Sequence, residues 1–109
     1  MTSKHYKAIQ RLLHLVEPNY VSVETNYVYE RGEIDLLGRY PNGTVDFYEV
    51  KSDSAPHNLR KGVAQLRRAR KHLDLRGKDF IFTPDLGIND LETVTRHLSA
   101  LNKKKRRFR

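Results

Sequence analysis

The chain has 109 residues, the size of a single domain, and it contains no cysteine, which excludes a disulfide framework and a thiolate metal site. Its formal net charge of +8 favours a polyanionic partner such as a nucleic acid. No apolar run approaches the length of a membrane span and the N-terminus lacks a signal-peptide core, so we expect a cytoplasmic protein with no membrane partner.

The first predicted element is a helix over residues 3–16, with Ser3 as its N-cap. Pro18 and Asn19 end it. Apolar residues recur at helical spacing along this segment: Tyr6, Ile9, Leu13 and Val16. Residues 20–30 then alternate as a strand. The alternation predicts that four residues share one face of that strand: Val21, Val23, Tyr27 and Tyr29.

The next two strands form a predicted antiparallel hairpin. Arg31-Gly32 turns the chain into a strand around Asp35, and Pro41-Asn42-Gly43-Thr44 turns it into a strand around Glu49. The Asn-Gly pair favours this turn because both residues tolerate positive φ.

The second half of the chain predicts a crossover. Residues 52–56 form a loop and precede a long helix that ends near Gly77. Its apolar stripe consists of Leu59, Val63, Leu66, Ala69 and Leu73. A short buried strand over 78–83 follows, and residues 88–101 form a final helix. Because a helix connects the Lys51 strand to the 78–83 strand, we expect these two strands to be parallel.

The predicted architecture is therefore an α/β domain over residues 1–101, followed by a basic C-terminal tail over 102–109. The elements follow the order α-β-β-β-α-β-α, with a mixed β-sheet flanked by helices.

Three charged residues, Asp35, Glu49 and Lys51, lie among residues typical of buried strands. Burying a charge is costly unless the charge is paired or binds a metal. Glu49 and Lys51 point to one face, and Asp35 joins them if the hairpin register allows. With the Val50 carbonyl, the two carboxylates would form an all-oxygen site that suits Mg²⁺ or Mn²⁺.

Lys51 beside such a site would orient or deprotonate an attacking water, or neutralise charge that develops on a phosphate. The alternative is a cross-strand salt-bridge cluster of Asp35, Glu49 and Lys51 on a solvated face, which would contribute little to stability.

This pattern resembles the PD-(D/E)XK nuclease superfamily. Two features carry the resemblance: Asp35 is followed by Glu49-Val50-Lys51, and hydrophobic strands surround both. The segment around Asp35 is similar to the compact archaeal Holliday-junction-resolvase-like branch of the superfamily, with the sequence Gly32-Glu33-Ile34-Asp35-Leu36-Leu37. The resemblance covers roughly residues 3–83. It implies a restriction-endonuclease-like core and a metal-dependent DNA endonuclease, with Asp35, Glu49 and Val50 holding the metal. It further implies branched DNA as the substrate and a homodimer.

The long helix carries four polar residues at helical spacing on one flank of its apolar stripe: Lys61, Gln65, Arg68 and His72. The resemblance implies that Gln65 supports the site, by a hydrogen bond to the Lys51 amine or to a phosphate oxygen. Lys61 would contact the scissile region. The alternative is that all four are ordinary surface residues.

One departure from the resembled pattern concerns the first helix. Related resolvases often place a Glu there to complete the metal shell, but here no acid precedes Glu17. His5 is the nearest replacement, as a metal ligand or a phosphate contact, unless it is an ordinary surface histidine. Gln10, Glu24 and Glu33 are further candidates.

The cations are unevenly distributed. Residues 56–78 carry eight Lys and Arg residues against one acid, and residues 102–109 carry six against none. We expect nucleic-acid contacts from Arg60, Lys61, Arg67, Arg68, Lys103, Lys104, Lys105, Arg106 and Arg107. The alternative is a solvated helix face and a solubilising tail.

The leading hypothesis is thus an Mg²⁺-dependent DNA endonuclease in which Asp35, Glu49, Lys51 and Gln65 carry the chemistry. A second hypothesis is a basic DNA-binding module that has the same fold without useful catalysis. A third is an RNA-directed nuclease, since phosphate contacts do not distinguish the sugar.

Overall fold

The computed structural model describes the backbone of residues 3–107 and the side chains of residues 3–103. Helix α1 spans Lys4–Val16. Ser3 caps it, because its Oγ accepts a hydrogen bond from the Tyr6 N–H at 3.0 Å. A 3₁₀ turn, Glu17–Asn19, follows with a proline in its first turn. The predicted first helix and its N-cap are therefore confirmed.

The centre of the fold is one five-stranded sheet with the spatial order β1-β2-β3-β4-β5. Its strands are β1 (Ser22–Tyr29), β2 (Gly32–Arg39), β3 (Val45–Val50), β4 (Asp79–Thr83) and β5 (Gly87–Asp90). Helix α2 (Pro56–His72) connects β3 to β4, and these two strands are parallel while every other neighbouring pair is antiparallel. A mixed sheet with three helices in an α/β fold, in the predicted order, is thus confirmed.

The predicted boundaries of two helices were wrong. Helix α2 ends at His72 and not near Gly77, because Leu73 already has an extended backbone, with φ −107° and ψ 118°. Residues 88–90 belong to β5, which pairs with β4, and helix α3 (Leu91–Arg107) begins only after them. Ile88 fits both a strand and a helical pattern in such a short segment. The helix start is set by Asp90, whose Oδ1 accepts a hydrogen bond from the Thr93 N–H at 2.7 Å.

Two apolar clusters cover the two faces of the sheet. Helix α1 packs on one face, where the buried residues are Ala8, Ile9, Leu12, Val16, Leu36, Tyr48, Val50 and Phe82. Helices α2 and α3 pack on the other, where the buried residues are Ile34, Leu37, Val45, Phe47, Leu59, Val63, Leu66, Ala69, Ile81, Val94 and Leu98. Residues of β3 with odd and even numbers therefore face different helices.

The predicted common face of β1 was wrong as well. Val21 lies before the strand and is exposed. Val23 packs against the apolar cluster on the α1 face of the sheet, whereas Tyr27 and Tyr29 pack against the cluster on the α2 face. The change of face occurs at Asn26, which has a positive φ of 55° and interrupts the paired positions of β1 and β2.

The turn between β2 and β3 fixes the register of the predicted hairpin. Gly43 has a φ of 87°, and the Asn42 side chain accepts hydrogen bonds from the N–H and hydroxyl of Thr44 at 3.0 and 2.8 Å. The register then pairs Leu36 with Tyr48 and Leu37 with Phe47. This pairing brings Asp35 close to Glu49.

The predicted basic tail begins inside helix α3, whose backbone continues through Arg107. The side chains of Lys104, Lys105, Arg106 and Arg107 lie outside the described residues, as does the end of the tail at positions 108 and 109. Within residues 3–107, no helix combines the length and the apolar character needed to cross a membrane.

Candidate active site

Asp35 takes part in the hairpin through its side chain. The recorded pairs between β2 and β3 end at Leu36, and beyond them the Val50 N–H donates to Asp35 Oδ2 at 2.7 Å. The carboxylate thus serves as an acceptor where β2 stops supplying main-chain acceptors. The N–H and C=O of a strand residue point to the same side, so the Val50 carbonyl also faces Asp35.

Glu49 is the neighbouring acid on β3, and its side chain is almost fully enclosed, with 1% of its surface exposed. Within the described part of the chain, its Oε1 is the one buried side-chain oxygen or nitrogen with no hydrogen-bond partner. Burial, and next the adjacent charge of Asp35, raise the pKa of Glu49 to about 9, while Lys51 acts in the opposite direction. The two acids therefore lie close enough to disfavour a double negative charge.

Lys51 extends from the end of β3 toward helix α2. Its Nζ donates a hydrogen bond to Gln65 Oε1 at 2.6 Å, as the sequence suggested for this glutamine. The helix lies close at this point because Gly62 has no side chain. A Cβ there would lie 2.9 Å from Ile81 Cδ1 and 3.6 Å from Lys51 Cε. Residues 62 and 65 of α2 thus hold the Lys51 side chain in place.

A salt-bridge cluster on a solvated face does not describe this arrangement. Among the residues of known side-chain position, the ion pairs are His5–Asp35, Arg39–Glu24 and Arg70–Asp79. Lys51 is in none of them, and both acids are buried. The charges of Asp35 and Glu49 are consequently not neutralised by a lysine or arginine contact.

His5 is the first-helix residue that reaches the acids. Its Nε2 lies 3.3 Å from Asp35 Oδ1, and 49% of its side chain is exposed. Glu24 instead contacts Arg39 at 3.4 Å on the surface, and Glu33 is exposed. Of the polar candidates that the sequence offered for this position, His5 contacts Asp35.

Tyr29 is electrostatically linked to Glu49, which sequence reasoning did not predict. Burial raises its pKa, Arg68 opposes this effect and Glu49 adds to it, so the three side chains share one electrostatic environment. Tyr29 is on the α2 face of the sheet, like Glu49. Alternation along β1 did not reveal this link, because the change of face at Asn26 cannot be read from the sequence.

The predicted basic residues of α2 separate into two groups. Arg68 lies on the side of the acids, and Lys61 is exposed. Arg60 and Arg67 instead line a groove between α2 and α3, where Arg60 donates to Asn102 Oδ1 at 3.4 Å. Lys103 is exposed on α3. Sequence position alone did not distinguish these two surfaces.

The donor set fits a hard divalent cation. In the described part of the chain, no group of three or more His, Cys, Asp or Glu side chains is arranged to hold a metal. Two carboxylates and the Val50 carbonyl would nonetheless provide oxygen ligands, and Mg²⁺ commonly keeps several waters. Glu49 Oε1 is buried and has no hydrogen-bond partner in the protein, so it is free to act as one of these ligands.

Comparison of the chain with protein-family models, curated proteins and solved structures finds no match. The chemistry of the site, and not a relative, must therefore carry the functional argument.

Proposed function

We propose that this protein is a divalent-metal-dependent nuclease that hydrolyses phosphodiester bonds in DNA. The observation that carries the proposal is the buried acid pair of Asp35 and Glu49, in which Glu49 Oε1 has no partner. An isolated buried acid pair destabilises a fold, and natural proteins keep such groups where a ligand or reaction uses them.

Asp35, Glu49 and the Val50 carbonyl would hold the ion, either Mg²⁺ or Mn²⁺. When bound, the ion would supply Lewis-acid stabilisation of the charge that develops on the phosphate. The protein contributes a fixed site, because the Val50 N–H positions the Asp35 carboxylate at 2.7 Å and the core encloses Glu49.

Lys51 would orient the attacking water and neutralise negative charge on the phosphate. The Lys51 ammonium group donates one hydrogen bond to Gln65. The other two N–H groups of Lys51 remain available for water and substrate. Gln65 therefore acts as a positioning residue. Tyr29 and Arg68 lie on the same side and would contact the substrate backbone.

DNA is the proposed polyanion because of the net charge of +8 and the exposed cations Arg60, Lys61, Arg67, Arg68 and Lys103. Branched DNA as the substrate, a homodimer, a restriction-endonuclease-like core and a cytoplasmic location are the finer parts of the proposal, and the first three rest on the resemblance described above. A dimer would present two related sites, as paired cuts on a four-way junction require.

The test is a substrate panel at fixed salt. A four-way junction, a flap, a duplex, a single strand and RNA are incubated with Mg²⁺, Mn²⁺ or EDTA, using the wild type and the Asp35→Asn variant. Cleavage that needs the metal and disappears in Asp35→Asn supports the proposal. Glu33→Gln is the matched control, because Glu33 is exposed on the same strand. Equal cleavage by Asp35→Asn and Glu33→Gln would reject the assigned site.

A DNA-binding module without catalysis is the second candidate, and two observations favour it. The described side chains include no three-residue metal cluster, and helix α1 has no acid in its first turn. This candidate requires binding in the panel without cleavage in any metal. Cleavage of RNA in preference to DNA would instead favour the RNA-directed nuclease.

A further inference from the structure

Helix α1 carries three cations on one face, at the edge of the candidate site. Lys4, Lys7 and Arg11 are three and four residues apart, so their side chains leave the helix on the same side. All three are exposed, and residues 3–16 contain no Asp or Glu. In a count of charges along the sequence, the three cations of α1 are less evident than the larger cation clusters of α2 and the C-terminus.

These cations line a groove. Lys4, Lys7, Ala8 and Arg11 form its α1 wall, and the other wall comes from the segments that follow β3 and β4; the groove encloses about 250 Å³. Ala8 contributes only a methyl group between the longer side chains. The wall opposite α1 consists of Ser52 and Pro84.

Each wall contains a residue that is adjacent in the chain to a residue of the acid site. Ser52 follows Lys51 in the chain, and Lys4 precedes His5, whose ring lies 3.3 Å from Asp35. A chain of phosphates lying in the groove would therefore meet the acids within one residue of either wall.

The position of the two lysines is unfavourable for folding. Lys4 and Lys7 lie at the N-terminus of α1, where the helix dipole is positive and a cation is repelled. The ion pairs of the described residues include neither of them, nor Arg11, whose guanidinium lies 6.0 Å from the Phe82 ring centre. These cations are therefore not neutralised within the described residues and are available to an anionic ligand.

We propose that this groove binds the phosphodiester backbone of a nucleic-acid strand and leads that strand to the acid site. Charge complementarity selects the occupant, because a row of cations beside a carboxylate site matches a chain of regularly spaced phosphates. That the bound strand is also cut rests on the proposed function; the binding itself does not.

The test compares two double variants that lose the same charge. Lys4→Gln/Lys7→Gln alters the groove. Lys71→Gln/Lys78→Gln alters two exposed lysines, one in the last turn of α2 and one just before β4, at the opposite end of β4 from Pro84. Fluorescence anisotropy measures binding of labelled single-stranded, duplex and junction DNA in EDTA over a series of KCl concentrations.

We expect the groove variant to bind about 10-fold or more weakly at roughly 100 mM KCl, with the slope of log K against log salt reduced by about 1 to 2. The control variant should change less than about 3-fold. The melting temperature of the groove variant should not fall, because the removed charges oppose the helix dipole. Weaker binding together with an unchanged melting temperature is therefore not explained by unfolding.

Equal losses in the two double variants would overturn the groove, as would a wild type that binds none of the three DNAs. The two proposals fail separately. If no substrate is cut in any metal while the groove variant still binds more weakly than its control, the nuclease proposal fails and the groove remains. If cutting depends on Asp35 but both double variants bind alike, the groove fails and the nuclease remains.

Discussion

Strand β3 carries two buried acids that differ in how many hydrogen bonds their carboxyl groups accept. Asp46 near its start accepts hydrogen bonds from the Tyr20 hydroxyl at 2.7 Å, the Tyr40 hydroxyl at 2.9 Å and the Lys78 N–H at 2.9 Å. Glu49 near its end has a buried oxygen with no partner. The carboxyl group of Asp46 therefore stabilises the fold at one end of β3, and that of Glu49 remains available for a ligand at the other end.

The surroundings of Asp46 extend the contrast. Nearby, Arg70 donates to Asp79 at 2.7 Å and to three main-chain carbonyls, and its guanidinium lies 3.8 Å from the Phe47 ring centre. Four of the five N–H donors of this arginine are used inside the protein. Lys51 at the other end has a single recorded side-chain partner, Gln65. Completed polar networks thus mark the structural end of the sheet.

The largest expected effect is on catalysis at the incomplete end. Lys51→Ala should lower the single-turnover cleavage rate by about 10²- to 10⁴-fold, because it removes the group proposed to orient water and neutralise charge. DNA binding in EDTA should change little. Gel-based cleavage kinetics at saturating protein measure the effect.

Lys71→Ala is the control for Lys51→Ala, since Lys71 is an exposed lysine in the last turn of helix α2. If the two variants cut at the same rate, Lys51 has no special role.

The next effect concerns the structural end. Asp46→Asn should lower the free energy of unfolding by about 2–3 kcal/mol, because an NH₂ group replaces one of the two carboxylate oxygens. Either the two Tyr hydroxyls at Oδ2 or the Lys78 N–H at Oδ1 then loses its acceptor. Burial raises the pKa of Tyr20, so its hydroxyl keeps its proton and remains a donor. Urea unfolding measures the loss, and Asp74→Asn, at an exposed position, is the control.

Cleavage per folded molecule should stay at the wild-type level in Asp46→Asn. A strong loss of activity without loss of stability would contradict the division of β3 into two ends.

Local sequence signals were enough to predict the hairpin and the crossover. The Pro41–Thr44 turn set the register, and helical periodicity between Lys51 and Phe80 indicated parallel strands, both of which the structure has. Strand β5 was missed because four residues are too few for periodicity to distinguish strand from helix. The change of face in β1 was missed because it depends on the positive φ of Asn26.

The site was predictable where strand alternation and helix spacing decide direction, as for Glu49, Lys51 and Gln65. Contacts between distant segments were not. Asp46 gives no hint in the sequence that Tyr20 will reach it, and the link between Tyr29 and Glu49 depends on the change of face at Asn26. The nuclease role itself stays a prediction.

Glu49→Gln should stabilise the metal-free protein at neutral and alkaline pH. Burial, and next Asp35, raise the pKa of Glu49 in the folded state, so the folded state holds its proton more tightly than the unfolded state does. The stability contribution of the neutral acid is complete below the unfolded pKa of roughly 4.3 and is lost as pH rises toward the folded pKa.

We therefore expect Glu49→Gln to match the wild type near pH 4 and to exceed its free energy of unfolding by about 1–3 kcal/mol at pH 8. Urea unfolding across this range measures the difference, and Glu33→Gln should show no such trend because Glu33 is exposed. Saturating Mg²⁺ should narrow the gap, since it would bind the ionised acid of the wild type. Curves that stay parallel at all pH values would mean that Glu49 is not held neutral.

The smallest expected effect separates the positioning of Lys51 from its presence. Gln65→Ala removes the acceptor that lies 2.6 Å from Lys51 Nζ. The cleavage rate should therefore fall by about 3- to 10-fold, the effect expected from losing one net hydrogen bond. The melting temperature should barely change, and the residual rate should still exceed that of Lys51→Ala. His72→Ala, at an exposed position two turns further along α2, provides the baseline for surface substitutions on that helix. If Gln65→Ala cuts at the rate of His72→Ala, the contact between Gln65 and Lys51 does not position the amine for catalysis. If it cuts at the rate of Lys51→Ala, the glutamine itself must contact the substrate.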